Sequence, residues 1–307
     1  NLPNDTLFVP SGTTVYIDGG ARVYGNIFTE GAHDVNIFGR GEVHPDGRGA
    51  GVWVRRSKNV RIDGIVVSQL PIGQCDSVEL TNVKSISYYG WGDGMDVFSS
   101  SNVILDGVFC RNSDDCAAVY ASTQGFKGGS NNVLVKNATL WADVAHPINI
   151  GGHGDPNGMD TVQNVTFRNI DILDQAEKQI DYQGCLAINP GDNTLVRNIT
   201  FENIRIEDFR NGQLVNFRIS FNPKYCVSTG RGIQNVLVKD VTYNGSGENL
   251  SIIAGYDENH KISGIRFVNL VVNGRKITDD MPGKPKWYKT GDMAGIFVGE
   301  HVENISF

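Results

Sequence analysis

The sequence predicts an all-β chain that forms one domain, residues 1–307, a right-handed parallel β-helix of roughly nine to ten coils. Three observations predict it. A short signature, Asn followed by hydrophobic residues, recurs along the chain and steps by 23 and then 20 residues through Asn59, Asn82 and Asn102. There are 37 Gly and only 20% charged residues, and the apolar residues come as short β-branched runs, which suits turns and strands. No stretch shows helical periodicity with caps.

Residues 1 to about 50 read as an N-terminal cap and the first coils. Leu7-Phe8-Val9-Pro10-Ser11-Gly12 and Thr14-Val15-Tyr16-Ile17 give two short strands around a turn, and Val35-Asn36-Ile37-Phe38-Gly39 begins the coils proper. Repeats then start at Asn59-Val60-Arg61-Ile62, Asn82-Val83, Asn102-Val103-Ile104-Leu105, Asn132-Val133, Asn164-Val165, Asn198-Ile199 and Asn235-Val236. Many continue into a second strand, as in Glu202-Asn203-Ile204-Arg205-Ile206. Each unit is strand, tight turn, strand and a variable loop. One such unit cannot bury its own apolar face. Stacking units at about 4.8 Å joins the inward Val, Ile and Phe into a column and pairs the backbones. A propeller needs four strands per blade, and a β-sandwich does not keep one signature at every turn. The pattern lapses after Asn273-Gly274, and Asp279 to Gly295 reads as a long capping or groove-edge loop before Asn304-Ile305-Ser306-Phe307.

The repeated Asn predicts a ladder of stacked amides. Asn137, Asn164 and Asn198 also match the glycosylation pattern, but the repeat generates that pattern by itself. The net charge of −7 with no basic tract excludes nucleic acid and anionic membranes as natural partners. An acidic polymer would need a local basic patch. Five cysteines without metal-ligand spacing predict buried free thiols, with Cys110–Cys116 the one bridge to consider. No run approaches the roughly 18 apolar residues of a membrane span. A start at Asn1 without Met reads as a mature or trimmed form, and the expected setting is secreted, periplasmic or cell-surface.

Asp93 lies 21 and 22 residues before Asp114 and Asp115, an interval matching one repeat. Neighbouring coils would therefore put three carboxylates on one small surface, an arrangement that is costly unless chemistry or a cation uses it. Glycosidic hydrolysis needs one protonated and one ionised carboxyl group, and crowding is the simplest way to raise one pKa. Adjacent coils place the groups several Å apart, and about 6.5–9.5 Å leaves room for water, as inversion requires. His146 follows in the next coil at a similar phase. Trp91, Tyr88, Tyr89 and Tyr120 flank the loops and suit sugar stacking, with Trp91 foremost. Asp96, Lys178 and Tyr182 complete the substrate-binding candidates, whereas His153 sits in an obvious turn. No metal or organic cofactor is expected.

Asp93-Gly94-Met95-Asp96, Asp114-Asp115-Cys116 and His146-Pro147-Ile148-Asn149-Ile150-Gly151 resemble the polygalacturonase family pattern of Asp-Gly-x-Asp, Asp-Asp-Cys and His-Gly-x-Ser-Ile-Gly. The run from Trp91 through Asn112-Ser113-Asp114-Asp115 to Val119-Tyr120 is similar to the dextranase and isopullulanase family. These resemblances imply a pectin-lyase-like solenoid and an inverting glycoside hydrolase. They imply Asp114 as general acid, Asp93 and Asp115 as activators of water, and His146 as support. Polygalacturonases also carry an Arg-x-Lys pair about one coil after the His. The stretch Gly184-Cys185-Leu186-Ala187-Ile188-Asn189 has neither residue, and Arg218 comes later without a Lys. That departure points away from polygalacturonan and toward a neutral α-linked glucan or a decorated pectic side chain. The rival expectations are a calcium-dependent polysaccharide lyase and a non-catalytic carbohydrate-binding β-helix.

Overall fold

The repeated Asn residues turn the chain. In the computed structural model, which describes residues 2–246 and 249–307, Asn59, Asn82, Asn102, Asn132, Asn164, Asn198 and Asn235 all have φ between 52° and 57°. This left-handed region is closed to most side chains, but Asn tolerates it because its short amide can hydrogen-bond locally. All of these amides but that of Asn82 donate to a side chain of the preceding turn. Asn132 Nδ2 donates to Asn102 Oδ1 at 2.7 Å, Asn198 to Asn164 at 3.2 Å and Asn235 to Asn198 at 3.3 Å. A second ladder runs from Asn203 through Asn169 to Asn137. The Asn residues of the glycosylation pattern are members of these ladders.

Between the turns, strands pair parallel with the equivalent strands of adjacent coils, giving a parallel β-helix. One sheet of eleven strands runs from Thr6–Phe8 to Ile296–Val298, with one strand per turn. Counting Thr6–Phe8, from the opening segment, takes it just past the nine to ten coils expected. The other walls form a 17-stranded sheet, in which the hairpin of Ile262–Val272 with Arg275–Ile277 is antiparallel. Inward residues align by register, Phe167 opposite Phe201 and Ile188 opposite Phe217. Their rings stack at 5.9 Å, Phe167 on Phe201 and Phe201 on Phe217. Burying such a column drives the coils together.

All five cysteines are buried free thiols, so Cys110 and Cys116 form no bridge. Asp279 to Gly295 leads from the hairpin to the last strand of the eleven-stranded sheet. Met281 joins the core, and the side-chain hydrogen bonds of the segment stay within residues 278–292. No helix among the described residues is long and apolar enough to cross a membrane.

Candidate active site

Asp93, Asp114, Asp115 and His146 all lie just before strands of the eleven-stranded sheet, ahead of Val97–Phe98, Ala117–Tyr120 and Ile148–Ile150. Backbone bonds hold the approach segments in register. Gly94 N donates to Asp115 O at 2.8 Å and Cys116 N to His146 O at 2.9 Å. Gly94 permits this closeness, because a Cβ there would lie 2.2 Å from Cys116 O. The Asn112 amide, fully buried, fastens the Asp93 segment by donating to Ser85 Oγ and Ser87 Oγ at 3.0 Å and to Asp93 O at 3.2 Å.

The result is the cluster that the spacing predicted. Asp93, Asp114 and Asp115 each offer an oxygen within 4.8 Å of the others.

The three groups differ electrostatically. Asp115 is 5% exposed, and burial alone would raise its pKa. Four donors outweigh burial: His146 N at 3.0 Å and Nδ1 at 2.7 Å on Oδ1, Tyr120 OH at 2.6 Å and Asn149 Nδ2 at 2.9 Å on Oδ2. Its carboxyl is thereby lowered to about 2. Asp114 accepts from Asp115 N at 3.0 Å, too little to offset burial. Burial, then the Asp115 charge, raises it to about 6. Asp93 is also pushed well up, first by burial and then by Asp114 and Asp115. The charged form is thus favoured at Asp115 and disfavoured at Asp93 and Asp114.

Asp96 lies beneath the cluster, 5% exposed, and burial followed by the Asp93 charge raises it strongly. Its Oδ1, like His146 Nε2 and Asn149 Oδ1, has no hydrogen-bond partner among the described residues.

The remaining candidates divide. Trp91 is 71% exposed and adopts φ 64°, with its carbonyl held by Gln69 Nε2 at 2.8 Å. A bulky residue in that region is strained, and such strain concentrates at functional sites. Tyr182 is half-buried with its ring 6.5 Å from that of His146. Lys178 is exposed nearby and makes no ion pair among the described residues. Tyr120 departs from its expected place. It is 7% exposed, stacked on Phe98 at 5.9 Å, with its hydroxyl committed to Asp115. It therefore lies under the carboxylates and not on the groove surface. His153, expected to be peripheral, packs edge-on against Tyr120 at 5.1 Å. Sequence reasoning missed Asn149 as a donor to Asp115, although a polar residue between Ile148 and Ile150 was a signal. It also missed Lys224 and Tyr225, whose loop carries no repeat to betray them.

A sequence profile described as "Glycosyl hydrolases family 28" matches residues 50–281. A polygalacturonase of Juniperus ashei is 26% identical over 216 residues, 67% of this chain and 39% of its own length. An exopolygalacturonase of Cochliobolus carbonum is 25% identical over 216 residues, 59% of this chain and 46% of its own. The chain thus spans less than half the length of these two curated relatives. Among solved structures, the Yersinia enterocolitica family 28 exopolygalacturonase aligns over 98% of this chain and 70% of its own, with TM-score 0.71 and 13% identity. The Erwinia carotovora polygalacturonase aligns over 96% of this chain and 85% of its own, with TM-score 0.63 and 14% identity. Both share the fold.

These matches correct three expectations. They overturn the neutral α-glucan as substrate, and with it the calcium-dependent lyase and the non-catalytic binding protein. They support the polygalacturonase resemblance and lend none to dextranase or isopullulanase. The substrate expectation failed because it set Arg218 aside for lacking a Lys two residues on. Arg218 pairs with Asp181 at 2.6 Å, and Lys224 lies 5.9 Å from the Tyr182 ring, so a later turn brings basic groups to the same segment. With most of its length matched and its aspartates gathered at one site, the chain belongs to glycosyl hydrolases family 28.

Proposed function

We propose that this protein is a polygalacturonase, hydrolysing the α-linked galacturonic acid backbone of pectic polymers. The observation that carries the reading is the split between two adjacent carboxyls, Asp115 lowered to about 2 and Asp114 raised to about 6. Hydrolysis of a glycosidic bond needs that pairing of an ionised and a protonated group. Relatives named polygalacturonase, exopolygalacturonase and endopolygalacturonase support the galacturonan substrate.

In this reading Asp114, protonated below about pH 6, donates to the leaving glycosidic oxygen. Asp115 and Asp93 hold and deprotonate the attacking water. With the proton on Asp114, Asp93 and Asp115 are the ionised pair. His146, hydrogen-bonded to Asp115, keeps that carboxylate oriented, as do Tyr120 and Asn149. Burial and the Asp93 charge disfavour the charged form of Asp96 under the cluster, which limits the negative charge facing an anionic substrate. Trp91 provides an exposed platform for a sugar ring, and Tyr182 with Lys178 borders the opposite side. A polymer substrate of this kind is met outside the cell, which fits a secreted or cell-surface setting.

The test is incubation of purified protein with de-esterified polygalacturonan, read by released reducing ends and by absorbance for unsaturated products. The reading expects saturated galacturonate products. No release, or unsaturated ends, would refute it.

A further inference from the structure

The outward face of the eleven-stranded sheet is not open along its whole length. On the side of the earlier turns, the outward residues Phe28 and Trp53 stay partly exposed. On the side of the later turns, the outward Ala187 and Asn216, paired in register, are both 0% exposed. Beyond them Phe297 is 56% exposed again. The same outward row is buried beneath the carboxylates at Ala118 and Asn149, so the covered stretch runs from the site to Val215–Arg218.

Over Leu186–Ile188 and Val215–Arg218 the cover is a ridge made by two segments that approach from opposite ends of the strands. The segment before Leu186–Ile188 supplies Tyr182 and Asp181. The loop after Val215–Arg218 folds back to meet it. Asn222 Nδ2 donates to the Tyr182 hydroxyl, the Tyr182 and Tyr225 rings meet edge-on at 4.9 Å, and Arg218 pairs with Asp181. Phe221 and Ile180 stand exposed on this ridge, at 45% and 62%. The ammonium of Lys224 lies 4.8 Å from the Tyr225 ring centroid and 5.9 Å from that of Tyr182. Its one polar contact among the described residues is Gln179 Oε1 at 3.5 Å, so its charge has no acidic partner there.

The ridge begins two strands past Ala117–Tyr120, about 10 Å at the usual inter-strand spacing. On the other side the face continues four strands, about 19 Å, from Val97–Phe98 to Thr6–Phe8, with the buried Phe126 ring packed over Gly73 and Phe98 and Trp53 and Phe28 partly exposed beyond it. We propose that the ridge closes the substrate groove on the side of the later turns, so that a galacturonan enters with one end against it and is shortened from that end. Lys224 then meets the carboxylate of the terminal sugar. This rests on the galacturonan reading of the same site and adds where the polymer is cut. A ridge joined by hydrogen bonds and ring contacts across the sheet leaves a long chain no path past it, and only a short product fits between it and Asp114.

The experiment follows product length and viscosity together during early digestion of polygalacturonan by the wild-type protein. The expected result is a single short product from the first time points while viscosity stays nearly constant. A ladder of long oligomers with a rapid fall in viscosity would overturn the proposal and leave the galacturonan reading intact. Absence of any reducing ends would overturn both. Lys224→Met should raise KM several-fold on polygalacturonan but not on its methyl ester, with kcat little changed. An unchanged KM on both would remove Lys224 from the proposal. Asn222→Gly combined with Tyr225→Gly should lengthen the early products, and unaltered product length in the folded variant would overturn the role of the ridge.

Discussion

Asp114→Asn separates the cost of the carboxylate cluster from its use. The folded state raises Asp114 from the ordinary value near 3.8 to about 6. At about 1.4 kcal/mol per pH unit this is at most about 3 kcal/mol, and partial exposure reduces it to roughly 1–3 kcal/mol. The sign follows from which state binds the proton. Below about pH 3 the group is protonated folded and unfolded, and contributes nothing. As pH climbs from about 4 to about 6 the unfolded chain ionises first, so the folded state loses stability, and the full penalty is present above about 6. Asn carries no charge and relieves it. With about 2.1 cal/mol/K of unfolding entropy per residue, a chain of this length gains roughly 2–5 °C in Tm at pH 7 and almost nothing at pH 3. Hydrolysis of polygalacturonan should fall by about 10²–10⁴ because the proton donor is gone. Thermal melts at the two pH values, with reducing-end rates on the same samples, check both halves. A variant less stable at pH 7, or equally stabilised at both pH values, would refute the electrostatic account. Full turnover would refute the assignment of the acid.

Three further outcomes follow from the site and the coil. Direct attack by water inverts the anomeric centre, so NMR of early digests should show the β-anomer of the new reducing end first; α first would require a covalent intermediate. Asn149→Ala removes a donor to Asp115 Oδ2, which raises that carboxyl and moves the acid limb of the pH–rate profile upward. A cost of about 1–3 kcal/mol corresponds to a roughly five- to hundred-fold loss of rate, and an unmoved limb would argue against Asp115 as the base. Asn198→Ala forces Ala into φ 56° and breaks the amide ladder at Asn164 and Asn235. Denaturant unfolding should show a loss of about 1–3 kcal/mol, and a neutral change would mean the ladder adds nothing.

The fold was legible because the turn chemistry repeats. An Asn that must adopt a left-handed conformation before an inward Val or Ile leaves the same mark at Asn59, Asn102 and Asn198. The carboxylate cluster was legible for the same reason, since the interval from Asp93 to Asp114 is one turn of the coil. What faces outward was harder to read. Tyr120 had the composition of a sugar platform, but its neighbours Phe98 and His153 and its bond to Asp115 hold it beneath the site. Asn149 looked like part of a strand and is a donor to the base. Lys224 and Tyr225 were invisible because loop length varies from turn to turn. No periodicity relates residue 224 to residue 182, and the missing Arg-x-Lys therefore suggested an uncharged substrate.

The pH dependence of kcat/KM on a galacturonan oligomer tests most directly whether crowding has split the carboxylates into donor and base. The alkaline limb is the informative one, because the substrate's own carboxylates titrate on the acid side. The predicted result is a rate that declines as pH rises through about 6, following the proton on Asp114. A rate flat from about pH 5 to 8, or rising into the alkaline range, would contradict it.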